Sequence, residues 1–142
     1  MTFLLDTNVV AELTTRPKPA QAVVDWARSV PAPEMFLSVI TIAEIEAGIA
    51  AHPDPSRQLF FQRALDGIRD EYRGRIVDIG EREAAAYLAV HRSLKAAGTS
   101  IDPPDALIAA TALANDWTLV SRNIKHLART GARTLSPWDF AV

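Results

Sequence analysis

The chain has 142 residues, 49% of them hydrophobic and 23% charged, with a formal net charge of −2 and no cysteine. That length is enough for one domain with a core of its own, while the composition excludes disulfides and thiolate metal sites; with His52, His91 and His126 scattered, any metal has to be held by oxygen. No run approaches the ~20 apolar residues that cross a bilayer, and the opening apolar stretch lacks a basic flank and is cut by Asp6, so a cytoplasmic protein is expected.

Thr2 to Leu5 predicts a short buried strand, and Asn8 to Leu13 a helix capped by Asp6 or Thr7, ended by Pro17 and Pro19. Ala20 to Ser29 carries Val23, Val24, Trp26 and Ala27, reads as a helix, and stops before Pro31 and Pro33. Met35 to Ser38 predicts a second strand, and Val39 to His52 a helix with Ile42, Ile45 and Ile49 in one stripe. The prolines of "HPDPS" break that helix before another around Arg57 to Tyr72. Arg75 to Ile79 predicts a strand, followed by a helix over Arg82 to Ala97 that Gly98 ends. In "SIDPPDALIAATALAND", Asp102 is the expected N-cap with Pro103 at the first helical position, and Ala106 to Ala114 has no charge on any side, which predicts a helix buried all round. Thr118 to Ser121 predicts a strand, Ile124 to Thr130 a short basic helix and Arg133 to Leu135 a last strand. Short strands alternating with helices predict an α/β sandwich with a mostly parallel sheet.

In such folds ligands bind beyond the carboxyl ends of the strands, where helix N-termini also point. Asp6 follows the first strand, Glu44 lies on the helix after the second, Asp105 sits in the first turn of the apolar helix, and Asn123 follows the "TLVS" strand. Each has a bland explanation taken singly: Asp6 as a helix cap, Asp105 as an acid favoured by the helix dipole, Asn123 as a turn residue. Ala43, Ala47, Gly48 and Ala51 share the side of Glu44, but a helical wheel does not choose between Glu44 and Glu46. Together, three carboxylates and an amide oxygen at one edge repel one another strongly unless a hard cation such as Mg²⁺ or Mn²⁺ joins them. Such an ion favours hydrolysis of a phosphodiester by in-line attack of water. Between Trp117 and Trp138 there is no Asp or Glu, while Arg122, Lys125, His126, Arg129 and Arg133 fall in that window, as a solvated basic face or a phosphate-binding edge.

"FLLDTNVVAEL", "LSVITIAEIEAGIA", "DPPDALIAATALANDWTLVSRN" and the closing "LSPWDF" together resemble the PIN-domain ribonucleases, specifically VapC-type toxins and their FitB-like relatives, over nearly the whole chain. The resemblance implies a PIN-like α/β/α sandwich around a short, mostly parallel twisted sheet and a Mg²⁺ or Mn²⁺ dependent endoribonuclease acting on RNA. It also implies a homodimer and a cognate VapB-like antitoxin that blocks the toxin, joins dimers into a larger complex and carries it to promoter DNA. By match to the family's motifs, Asp6, Glu44 and Asp105 are the metal-binding acids, in preference to Glu46 and Asp102. Thr7 and Asn8 support the first acid and take over helix capping from it, and Ser121 keeps a hydroxyl that many members carry as threonine. Asn123 stands where many relatives have a fourth acid, which implies one well-held ion rather than two, with Asp102 and Asp116 as candidates to compensate. Arg122, Lys125 and Arg129 are assigned to the RNA backbone.

Two other readings stand beside this one. A haloacid-dehalogenase-like phosphatase also begins with a strand ending in a nucleophilic Asp, but Asn8 occupies the place of its second Asp and cannot act as a general acid. A catalytically weak PIN scaffold that binds RNA or protein is favoured only by Asn123.

Overall fold

Successive side chains of a strand point to opposite faces, so a short run without polar residues has to be covered on both sides. In the computed structural model, which describes residues 1–142, this happens at β1 (Phe3–Leu5), whose three residues are all buried. Phe3 and Leu5 face one core with Val9, Val23, Trp26, Leu37 and Leu65, while Leu4 faces a second core with Ile108, Ala109, Ala112 and Leu119. The strands β2 (Met35–Ser38), β3 (Ile76–Val77), β4 (Thr118–Val120) and β5 (Thr134–Leu135) complete a five-stranded sheet in the order β3-β2-β1-β4-β5, parallel throughout.

The helices α1 (Thr7–Thr14), α2 (Gln21–Ser29), α3 (Val39–Ala51) and α4 (Pro55–Glu71) supply the first core, and α6 (Pro103–Asn115) and α7 (Ile124–Ala128) the second. The remaining helix, α5 (Glu81–Ala96), packs on α6. The expected α/β/α sandwich is thus present, and the expected elements are all found with ends shifted by a few residues. The largest change is at β3, expected from Arg75 to Ile79. Arg75 is held in the turn leaving α4 by its N–H to Tyr72 O at 2.7 Å, and its guanidinium donates to the carbonyls of Ala32, Met35 and Glu71.

Ala106 and residues Ile108 to Ala112 of α6 are buried, as the uncharged run predicts, but Leu113 reaches solvent. Asp116 ends this helix with a φ of 56°, a left-handed conformation that Asp tolerates better than most residues. The chain passes from β1 outward to β2 and β3, then returns to β1 and continues through β4 and β5 on its other side. The order reverses between β1 and β4, and a crevice opens beyond the carboxyl ends of strands at such a switch point.

Leu4 is fully buried in the second core. Leu4→Ala should lower the unfolding free energy by about 2–5 kcal/mol, whereas Leu59→Ala, at a side chain 53% exposed, should change it by less than about 0.5 kcal/mol. Urea denaturation of the two variants checks this.

Candidate active site

The residue after β1 is Asp6, and its position is set by the sheet, because its N–H continues the β1 to β4 ladder onto Val120 O at 2.8 Å. Its side chain is 5% exposed, so both carboxylate oxygens need donors. Oδ1 accepts the N–H of Thr7 at 2.8 Å, and Oδ2 accepts the hydroxyl of Ser121 at 2.7 Å and the amide of Asn8 at 3.4 Å. Asp6 is therefore itself the cap of α1, which corrects the expectation that capping passes to Thr7 or Asn8: the Thr7 N–H stands directly at the carboxylate. These three donors leave a lone pair on Oδ1, so capping and ligation do not compete.

Ser121, fully buried at the end of β4, accepts from Asn8 Nδ2 at 3.2 Å and from the Asn123 N–H at 3.1 Å. Asn8 Oδ1 accepts the N–H of Arg122 at 3.2 Å. One serine and one asparagine thus tie the acid after β1 to the loop after β4.

Glu44 reaches this edge from α3, which Ser38 caps by accepting the Ile40 N–H at 3.0 Å. The Thr7 hydroxyl donates to Glu44 Oε1 at 2.7 Å, and the buried hydroxyl of Thr41 lies 3.1 Å from the same oxygen of Thr7. Glu46 points elsewhere, to Arg69 on α4 at 2.6 Å. Of the two glutamates, Glu44 is the one bonded to Thr7 beside Asp6.

Asp105 is the third residue of α6. Asp102 occupies the N-cap position as expected, but its side chain makes no capping hydrogen bond. Pro104 at the second helical position has no N–H, which removes one of the two donors an N-cap side chain ordinarily uses. Burial pushes the Asp105 carboxyl above the ordinary carboxylate range, and repulsion from Asp6, Glu44 and Asp102 adds to it, with His126 acting the other way. Asp105 therefore senses both other acids across the crevice. No three acidic or histidine side chains are arranged to hold an ion as they stand.

Asn123 takes the N-cap position of α7 without a side-chain capping bond and lines an open hollow of about 730 Å³ with Asp105, Arg122 and Lys125. Arg129 is not part of it; one turn farther along, it donates to Thr99 Oγ1 at 3.3 Å. Asp116 cannot compensate for Asn123, because it lies at the opposite end of α6, about 20 Å along the helix axis, and pairs with Arg133 at 2.7 Å. Two further residues stand close to the site without having been singled out from the sequence: Thr41, one hydroxyl among many small polar residues, and Trp138, noticed only within the closing motif. A buried acid elsewhere shows the structural alternative: Glu12, 6% exposed, accepts the Ala20 N–H at 2.8 Å and pins the proline-rich turn after α1.

A family model described as the PIN domain matches residues 3–132. The VapC ribonuclease Y4jK of Sinorhizobium fredii is 31% identical over 138 residues, covering 96% of this chain and 98% of its own. The toxin FitB of Neisseria gonorrhoeae is 32% identical over 137 residues, covering 96% and 98%. Among solved structures, the crystal structure of FitAcB from Neisseria gonorrhoeae aligns with a TM-score of 0.90 at 31% identity, over 98% of this chain and all of that one.

Two measurements follow from the geometry. Ser121→Ala removes a donor from a buried carboxylate and should cost about 1.5–3 kcal/mol of stability, the scale of a hydrogen bond to a charged group, read by chemical denaturation. For Asp105, the folded chain holds the proton more tightly than the unfolded chain, so stability falls as pH rises from the ordinary carboxylate pKa through the raised one, and the penalty is complete above it. Asp105→Asn should therefore raise the melting temperature in EDTA at neutral pH, modestly because solvent still screens a partly exposed group. The gain should shrink as pH is lowered toward the ordinary carboxylate range.

Proposed function

The chain belongs to the PIN-domain family, and from that premise we propose that it is a metal-dependent endoribonuclease, the toxin of a toxin-antitoxin pair. The observation that carries the chemical side of this reading is that Thr7 binds Asp6 through its N–H and Glu44 through its hydroxyl, with Asp105 facing both acids and held above the ordinary carboxylate range by burial and then by their repulsion. Three oxygen-donor acids with no sulfur or clustered histidine nearby suit a hard divalent cation, and Mg²⁺ or Mn²⁺ is the proposed cofactor. Asp6, Glu44 and Asp105 would hold it. When bound, it supplies an electrophile for the phosphate and makes an attacking water more acidic.

The protein's own residues do the rest. Ser121 and Asn8 fix the orientation of Asp6, and Thr7 fixes that of Glu44, so that two acids are held before the substrate arrives. Asn123 offers an amide oxygen without charge, which favours one tightly held ion over two. Arg122 and Lys125, on the loop after β4, take the RNA backbone. The phosphatase reading loses its acid, because Asn8 stands in that place with its amide bonded to Asp6, Ser121 and Arg122. A catalytically weak scaffold keeps one observation in its favour, the amide of Asn123, and calorimetric titration with Mn²⁺ separates it: no heat of binding at millimolar metal supports the scaffold.

For partners, the reading takes a VapB-like antitoxin, a homodimer and a larger complex that meets promoter DNA through the antitoxin. The toxin FitB and the FitAcB structure support it by similarity. An apolar groove of about 300 Å³ between α1, α3 and α4, lined by Ile45, Ile49, Phe61 and Leu65, with Leu59 and Phe60 exposed nearby, is the kind of surface a protein partner covers. No helix is long and apolar enough to cross a membrane; a single-domain protein working in the cytoplasm completes the proposal.

Asp6→Asn should abolish RNA cleavage in Mg²⁺ or Mn²⁺, by at least about 100-fold, more than the loss of an outer partner costs, and relieve growth inhibition on induction. Cleavage by the purified variant at the parental rate would overturn the assignment.

A further inference from the structure

Beyond the acids, the hollow of about 730 Å³ continues past Arg122 to Ser136 and Trp138, a volume within the range of small-ligand sites, about 300–1,000 Å³. We propose that this hollow is a nucleotide subsite, in which one unpaired base of the RNA stacks on the layer formed by the Arg122 guanidinium and the Trp138 indole beside Asp105. The inference rests on the ribonuclease reading and adds to it a stacking face for a base on Arg122, whose N–H donors stay available to the backbone.

The layer is built in an unusual way. The guanidinium carbon of Arg122 lies 5.0 Å from the centre of the Trp138 ring, and Arg122 is absent from all five ion pairs of the protein, although Asp105 and Asp139 line the same hollow. A planar cation on an indole, with no carboxylate engaging its fork, keeps one face and its hydrogen-bond donors free for a ligand. Trp138 is a firm support, because it packs against the first core and sits on a tight turn, Pro137–Asp139, closed by Asp139 N–H to Ser136 O and Phe140 N–H to Pro137 O, both at 3.2 Å. Packing accounts for the inner side of the indole. It does not account for the guanidinium laid over its ring.

The layer is also in register with the acids. The Arg122 N–H is held by Asn8 Oδ1, and the other end of that amide donates to Asp6 Oδ2 and to Ser121. The Ser121 N–H in turn binds Leu135 O at 3.0 Å, which brings the segment carrying Trp138 alongside β4. A base stacked there belongs to a nucleotide neighbouring the phosphate at the acids. In a paired A-form helix the bases are stacked on one another and no base face is free, so the subsite selects single-stranded RNA.

The test compares two probes of equal length and charge, oligoadenylate and an abasic ribose-phosphate oligomer, by fluorescence anisotropy in EDTA so that no strand is cut. Wild-type protein should prefer oligoadenylate by about tenfold, the scale of one base stacked on an aromatic group. Arg122→Lys keeps the charge and removes the plane, and Trp138→Leu removes the support; in both the preference should fall to near unity. Because Trp138 also packs on the core, circular dichroism checks that variant, and the exposed Arg122→Lys decides the matter if it fails to fold. No preference in the wild type, or a preference that survives Arg122→Lys, overturns the subsite. Cleavage in Mn²⁺ by wild type against Asp6→Asn tests the ribonuclease reading separately, since stacking is read without any cut strand.

Discussion

A carboxylate buried at the end of the central strand is the constraint on which this structure depends. Taking Asp6 out of water without donors would cost several kcal/mol after relaxation, and the fold answers with donors from two directions, the first turn of α1 and the end of β4. Those directions meet only where β1 and β4 are neighbours and parallel, so the hydrogen-bonding needs of one side chain and the topology of the sheet are satisfied by the same arrangement. With Asp6 anchored, Thr7 is set to hold Glu44, and Asn8 to hold the loop that carries Arg122 and Asn123.

Much of this was legible in the sequence because the signals are local. Phe3 to Leu5, Met35 to Ser38 and Thr118 to Val120 are short apolar runs bounded by polar residues, and the prolines and glycines mark where helices stop. What was misread has an equally physical cause. Asp102 looked like a cap by type and position, yet the two prolines after it remove a donor that a cap would use. Asp6 was treated as either a cap or a ligand, whereas a carboxylate has enough lone pairs to be both. The choice between Glu44 and Glu46 could not come from one helix, since it turns on their partners, Thr7 and Arg69, each on another. The pairing of Arg122 with Trp138 depends on β4 and β5 lying side by side, and no spacing rule within either segment reveals it.

The site runs from a rigid end to a yielding one. Asp6 and Ser121 are buried and held by several partners, Glu44 is held through one hydroxyl, and Asp105 is partly buried, its pKa raised by that burial and then by the acids it faces. Beyond it Asn123, Arg122 and Lys125 are exposed. Such a gradient suits a reaction in which geometry matters most at the phosphorus and least along the strand. Carboxylates that must share a cation benefit from fixed positions, while a flexible polyanion is better met by charges that can follow it.

Asn123 belongs to the same balance. A fourth carboxylate at that position would stand in the hollow beside Asp105, whose proton burial and three acidic neighbours already hold more tightly, and would add to that repulsion. An amide removes that charge while leaving an oxygen able to ligate. Arg122 and Lys125 share the hollow with Asp105 and Asp139 but form an ion pair with neither. On the proposed reading, the stretch from Ser121 to Lys125 links the acids to the residues that meet the strand.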